Sequence, residues 1–136
     1  NGMVCASHPI AAQVGLDVLK SGGNAFDAAI ATSAAIGLME PTSCGMGGDL
    51  FAIVWDAKTK KLHGLNASGP APKKATLQYF RDKKLTEIPE KGPLSWSVPG
   101  CVEGWDQLRK KFGTKPFQEL LAPSIRYAEE GVPVPE

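Results

Sequence analysis

The sequence is short of the residues that build metal clusters, disulfide frameworks and charged binding faces. Its three cysteines, Cys5, Cys44 and Cys101, are odd in number and widely spaced with no C-x-x-C, which argues against a disulfide framework. The two histidines, His8 and His63, share no helical or zinc-type spacing, so no metal site and no cofactor are expected from this chain. A net charge of +1, from 15 basic and 14 acidic side chains, supplies no general field toward nucleic acid or an anionic membrane. The lysines from Lys58 to Lys84 lie among acidic and aromatic residues and read as solvated loop surface. No basic-then-apolar leader opens the chain, and no apolar run reaches the roughly 18 residues of a spanning helix. The compartment stays open between periplasmic or extracellular and cytoplasmic. Familiar catalytic signatures are missing too: there is no G-x-S-x-G, no H-E-x-x-H and no G-x-x-x-x-G-K.

What is present is a globular composition, 43% apolar and 21% charged, organised around residues 24–54. Asn24 to Leu38 reads as a helix apolar on nearly all sides, hence a core helix. The segment Gly45-Met-Gly-Gly-Asp49 comes next, and its glycines imply close backbone approach, read mainly as packing. It is at best a fragment of G-x-G-x-x-G and lies after a helix and before a strand, the reverse of a dinucleotide fingerprint. Leu50 to Trp55 reads as a strand covered on both faces, because its apolar residues are continuous.

In chain order, Met3 to Ser7 suggests a strand, and His8 before Pro9 should be extended. A helix fits from Pro9 or Ile10 to Lys20, stopped by Ser21-Gly22-Gly23. Asn24 caps the next helix with Asp27 in its first turn, and Pro41 ends it. The polar Asp56 to Lys61 turn and the returning Leu62 to Leu65 predict a β-hairpin. Asn66 to Pro72 is an irregular loop, Ala75 to Phe80 a short helix, and Arg81 to Leu94 a surface excursion. Ser95 to Val98 reads as a strand and Val102 to Phe112 as a helix carrying Trp105 and Leu108 on one side. Pro123 splits the last helical stretch into a short helix from Pro116 to about Leu121 and another from Pro123 to Glu130. Val132 to Glu136 reads as a chain running onward, so the whole is expected to be a piece of a larger layered fold.

Taken together, the residues resemble a known family. His8-Pro-Ile-Ala-Ala-Gln13 leads into Gly15-Leu-Asp-Val-Leu19, then Gly22-Gly-Asn-Ala-Phe-Asp-Ala-Ala29, Glu40-Pro41 and Gly45-Met-Gly-Gly48 before an apolar strand. Ala71-Pro72, Ser97-Val-Pro-Gly100, Gly113 and Pro123 to Gly131 continue it in order. This series resembles the front of the large subunit of a γ-glutamyltranspeptidase, an N-terminal-nucleophile hydrolase. The resemblance implies an α+β fold, a fragment of an αββα sandwich with helices packed on antiparallel strands. Residues 1–136 would be an incomplete domain with no internal boundary. It implies a self-cleaving precursor whose small subunit carries the nucleophilic N-terminal threonine, so that no catalytic residue lies in this chain. The partners implied are a small-molecule amide substrate, glutathione-like or another acyl amide, the remainder of the large subunit, and the small subunit.

The same resemblance points to one position. Transpeptidases of this type grip the α-carboxylate of the γ-glutamyl group with an arginine in an Arg-Glu-x-Ala-Pro loop, a task suited to a bidentate guanidinium. Anchoring on Ala71-Pro72 puts Ser68 at the arginine and Gly69 at the glutamate. The local pattern Asn66-Ala-Ser-Gly-x-Ala-Pro72 is more similar to the transpeptidase-like and acylase-like branch. Ser68 reads either as a pocket donor or as a loop serine capping its own turn. Two other readings stand beside the enzyme: a noncatalytic module binding a partner through Leu50 to Leu65, and Cys44 as a nucleophile with His8 or His63 as base, against which stands a buried structural cysteine.

Overall fold

A computed structural model describes residues 2–133; the end of the stretch read as running onward, residues 134–136, lies outside the described residues. The order is α1 (Pro9–Lys20), α2 (Ala25–Met39), β1 (Leu50–Asp56), β2 (Lys61–Ala67), α3 (Leu77–Asp82), a 3-10 turn at Pro93–Ser95, α4 (Cys101–Phe112) and α5 (Phe117–Glu130). By contacts the chain forms two compact units, one of residues 1–46 with 102–136 and the other of residues 47–101.

The first unit is helical. His8 is extended as its proline demands, and its Nδ1 accepts from the Ile10 amide at 3.3 Å. Lys20 ends α1, and Gly22 turns the chain with φ +88°. Asn24 then builds a full capping box on α2: its Oδ1 accepts from the amides of Phe26 and Asp27, and Asp27 Oδ2 accepts from the Asn24 amide. The two helices pack at backbone range where a side chain on Gly15 would stand 2.1 Å from Thr32 Oγ1 and 2.8 Å from Val4 Cγ1. The core gathers Val14, Ile30, Met39, Trp105 and Leu120. Trp105 Nε1 donates to Ser33 Oγ at 3.1 Å, which satisfies an indole that burial would otherwise orphan.

Asp27 is the anchor of this unit, fully buried within the first turn of α2. Besides the Asn24 amide it accepts from the Thr114 amide (3.0 Å), the Thr114 hydroxyl (2.5 Å) and the Lys115 amide (3.3 Å), which fixes the link between α4 and α5. Burial alone would raise its pKa; the Thr114 hydroxyl and the three amides outweigh that and hold the carboxyl below its ordinary value. Asn24 Nδ2 ties the same corner by donating to the Phe112 carbonyl at 2.7 Å.

Four expectations are corrected here. Met3 to Ser7 carries no strand, because no neighbouring strand among the described residues offers it a ladder. Residues 117–130 form one helix with Pro123 inside it. The proline forfeits one hydrogen bond, about 3 kcal/mol with its steric strain, and the fully buried Leu120 one turn earlier holds the helix against α2 despite this. Helix α2 is not covered all round: Ala25 and Ala29 are exposed along a groove of about 510 Å³ that the Met3 to Ser7 segment also lines. The packing expected of the glycine segment is narrower than its composition suggests: Gly45 and Gly47 face open space, a Cβ on Gly37 would meet Gly45 at 3.3 Å, and the Gly48 carbonyl accepts from the Gly100 and Cys101 amides.

The second unit is built on the hairpin. Strands β1 and β2 pair antiparallel from Leu50 with Ala67 to Asp56 with Lys61. Asp56 closes the turn by accepting from the Lys58 amide and the Thr59 hydroxyl, and Lys60 takes φ 54°. Leu50, Ala52, Val54 and Asp56 are turned toward cover; Phe51, Ile53 and Trp55 alternate outward and are exposed, as is Leu62 opposite Trp55. The continuous apolar run therefore does not make β1 covered on both faces by the described residues. Thr76 caps α3, its Oγ1 accepting from the Tyr79 amide, and the helix starts two residues later than the sequence suggests.

Candidate functional site

Where the hairpin ends, three loop segments close on one another. The Ser68 amide donates to Asn66 Oδ1 at 3.0 Å, an Asx turn that ends the β2 ladder one residue past Ala67. Gly69 then takes φ +77°, and a Cβ there would lie 1.7 Å from the Val98 carbonyl oxygen. Only glycine fits both the left-handed backbone and that contact. In return the Val98 amide donates to the Pro70 carbonyl at 2.9 Å.

The Ser95 to Val98 segment is not the strand its composition suggests: Pro93 to Ser95 is a 3-10 turn, and the bond to Pro70 is not reciprocated because Pro70 has no amide hydrogen. A Cβ on the buried Gly100 would lie 2.3 Å from the Ala67 carbonyl oxygen and 2.8 Å from the Gly69 nitrogen. The Gly100 and Cys101 amides both donate to the Gly48 carbonyl, at 3.2 and 3.0 Å. Ser97 Oγ donates to Asp49 Oδ1 at 3.2 Å. Residues 48–49, 66–70 and 97–101 thus form one backbone-locked cradle.

Ser68 stands in this cradle, half-buried, with Gly69 and Asn66 beside it. The sequence points to Ser68 and to the loop, but not to Asp49 or Ser97, which meet across 48 residues of chain. The alternation of β1 could have found Asp49, since counting outward positions back from Phe51 reaches it, but it gives no signal for Ser97. Cys44 is exposed, as is Cys5, while Cys101 is buried, so the expectation of a buried Cys44 is corrected: it sits in the exposed turn of residues 41–49. Among the described residues no group of three or more His, Cys, Asp or Glu could hold a metal ion, and no helix is long and apolar enough to cross a membrane.

The fold class is α+β, and its solved counterparts make it part of the αββα sandwich of the N-terminal-nucleophile hydrolases. The structure matches the cephalosporin acylase from Bacillus halodurans with a TM-score of 0.93 at 52% identity, covering 98% of this chain and 25% of that one. It matches Helicobacter pylori γ-glutamyltranspeptidase with a TM-score of 0.88 at 38% identity, covering 96% and 38%. The glutathione hydrolase proenzyme of Bacillus subtilis (strain 168) is 40% identical over 139 residues, 98% of this chain and 24% of the relative. The family model described as gamma-glutamyltranspeptidase matches residues 11–136, and the chain belongs to that family. It spans about a quarter of the length of the curated relatives it matches.

Proposed function

We propose that residues 1–136 are the N-terminal part, one incomplete domain, of the large subunit of a self-cleaving amide hydrolase or acyltransferase. The observation that carries this is the family match across residues 11–136, together with a likeness to a proenzyme and to an acylase. The chemistry is that of an N-terminal threonine outside this chain. Its hydroxyl attacks the amide carbonyl, its own α-amine, with a pKa near neutrality, takes the proton, and donors around the oxyanion hold the developing charge. An acyl-enzyme forms, the amine leaves, and water or a second amine resolves the ester.

In this reading the Ser68 cradle is a wall of the acyl pocket. A serine where a transpeptidase has its arginine offers one uncharged donor, so an α-carboxylate loses an interaction of about 1.5 to 3 kcal/mol. The acyl donor is therefore not selected for an α-carboxylate, and glutathione is not the preferred substrate.

Expression of the full-length protein tests the class: it should cut itself in two, with threonine at the new N-terminus. An uncut, inactive protein would sink the enzyme reading and favour the noncatalytic module. The specificity claim is tested by comparing γ-glutamyl and γ-aminobutyryl anilides, which differ only in the α-carboxylate. The γ-aminobutyryl compound should be turned over with equal or higher kcat/KM, and a strong preference for the γ-glutamyl compound would show that the carboxylate is gripped after all.

A further inference from the structure

The cradle holds a charge of the opposite sign to the one that Ser68 has lost. Asp49 is exposed at the start of β1, and its Oδ1 accepts from Ser97 Oγ at 3.2 Å, so the carboxylate is oriented while its second oxygen is left for another donor. Leu50 pairs with Ala67, so Phe51 and Asn66 share the outer face, and Asp49 and Ser68 are the residues that flank this first rung of the ladder. Phe51 is 67% exposed on that face, an aromatic surface beside the carboxylate. The backbone under these side chains cannot drift, because Gly48, Gly69 and Gly100 are locked to one another by hydrogen bonds and backbone contact.

We propose that Asp49, positioned by Ser97, is a specificity-determining residue of the acyl pocket, and that it selects acyl groups ending in a protonated amine. This rests on the reading of the cradle as a pocket wall. A carboxylate, two serine hydroxyls and an aromatic face together suit an ammonium: the carboxylate supplies charge, the hydroxyls accept N–H donors, and the ring adds a cation–π contact. The same set repels a terminal carboxylate.

The test uses the full-length, self-cleaved protein and three anilides of equal chain length, δ-aminovaleryl, valeryl and glutaryl. The kcat/KM for δ-aminovaleryl should exceed that for glutaryl by about tenfold or more, as a unit charge a few ångströms away in a partly wet site requires. Asp49→Asn should bring the ratio close to unity, through KM. Ser97→Ala, which leaves the charge but frees it, should lower the ratio only in part. A wild-type preference for glutaryl overturns the proposal, as does an Asp49→Asn enzyme that keeps the wild-type ratio within about twofold. If Asp49→Asn fails to cut itself, the wild-type ratio and Ser97→Ala decide. Valeryl turnover with no charge preference removes the Asp49 assignment and leaves the enzyme reading intact, whereas an uncut protein that turns over none of the three removes both.

Discussion

Replacing Asp27 should open the helical unit at one corner. The carboxylate is fully buried and accepts from the Asn24, Thr114 and Lys115 amides and from the Thr114 hydroxyl. Asp27→Ala removes every one of these acceptors. The Thr114 hydroxyl can turn away, but the amides of the α4–α5 link are left with no carboxylate to meet, at about 1 to 3 kcal/mol for each donor that stays buried. A net loss of about 3 to 5 kcal/mol results, the range for removing one partner of a buried charged group. Hydrogen exchange of the peptide spanning residues 110–118 in the full-length protein measures this directly. With one tenfold step per 1.36 kcal/mol, its amides should exchange about a hundredfold to several-thousandfold faster.

Acid gives an independent check of the same corner. The folded-state pKa of Asp27 is depressed, so its stabilisation is present above the ordinary carboxylate value of 3.8 and is lost as pH falls through the lower folded value. Protection of the peptide should therefore hold from pH 7 down to about 4 and drop below that. Asp27→Asn keeps the volume but turns an NH2 toward donors; it should lose about 2 to 3 kcal/mol at pH 7 and show little further loss in acid. If Asp27→Ala changed exchange of this peptide by less than about threefold, the keystone reading would be refuted.

Further outcomes are expected at three positions. Gly15→Ala should destabilise by about 1 to 3 kcal/mol, since the new Cβ meets Thr32 Oγ1 at 2.1 Å, and Thr32→Ala in the same protein should restore part of the melting temperature. Gly69→Ala combines a left-handed backbone with a Cβ 1.7 Å from the Val98 oxygen; self-cleavage or acyl-anilide turnover should fall well beyond what Gly47→Ala causes, because a Cβ on Gly47 meets nothing within 4 Å. Trp105→Phe removes the bond to Ser33 Oγ and part of the core, and should cost about 1 to 3 kcal/mol in urea denaturation, with Ser33→Ala costing less when combined with Trp105→Phe than in the wild type.

Local chemistry makes most of the helices legible. Pro9, Lys20, Asn24 with Asp27, and Phe112 before Gly113 mark boundaries that are met to within a residue, because caps and prolines act through neighbours in sequence. The errors share a cause. Composition suggests strands at Met3 to Ser7 and Ser95 to Val98, whereas strand pairing depends on distant segments. Pro123 has a local cost that predicts a break, and the tertiary burial of Leu120 overrides it. In the candidate site, the Ala71-Pro72 anchor points to Ser68 through the family resemblance. The Asp49–Ser97 pair cannot be read from sequence, since only the folded loops bring the two together.

The cradle around Ser68 separates shape from chemistry. Its outline is written in glycines and main-chain bonds, and none of those bonds uses the Ser68 hydroxyl. A change of side chain at position 68 can therefore leave the wall standing, and under the proposed pocket role it would alter what the wall recognises. In that role such a position would be a site of low evolutionary resistance: one codon can trade a guanidinium for a hydroxyl, and a lineage could then move between acyl donors without first rebuilding its scaffold.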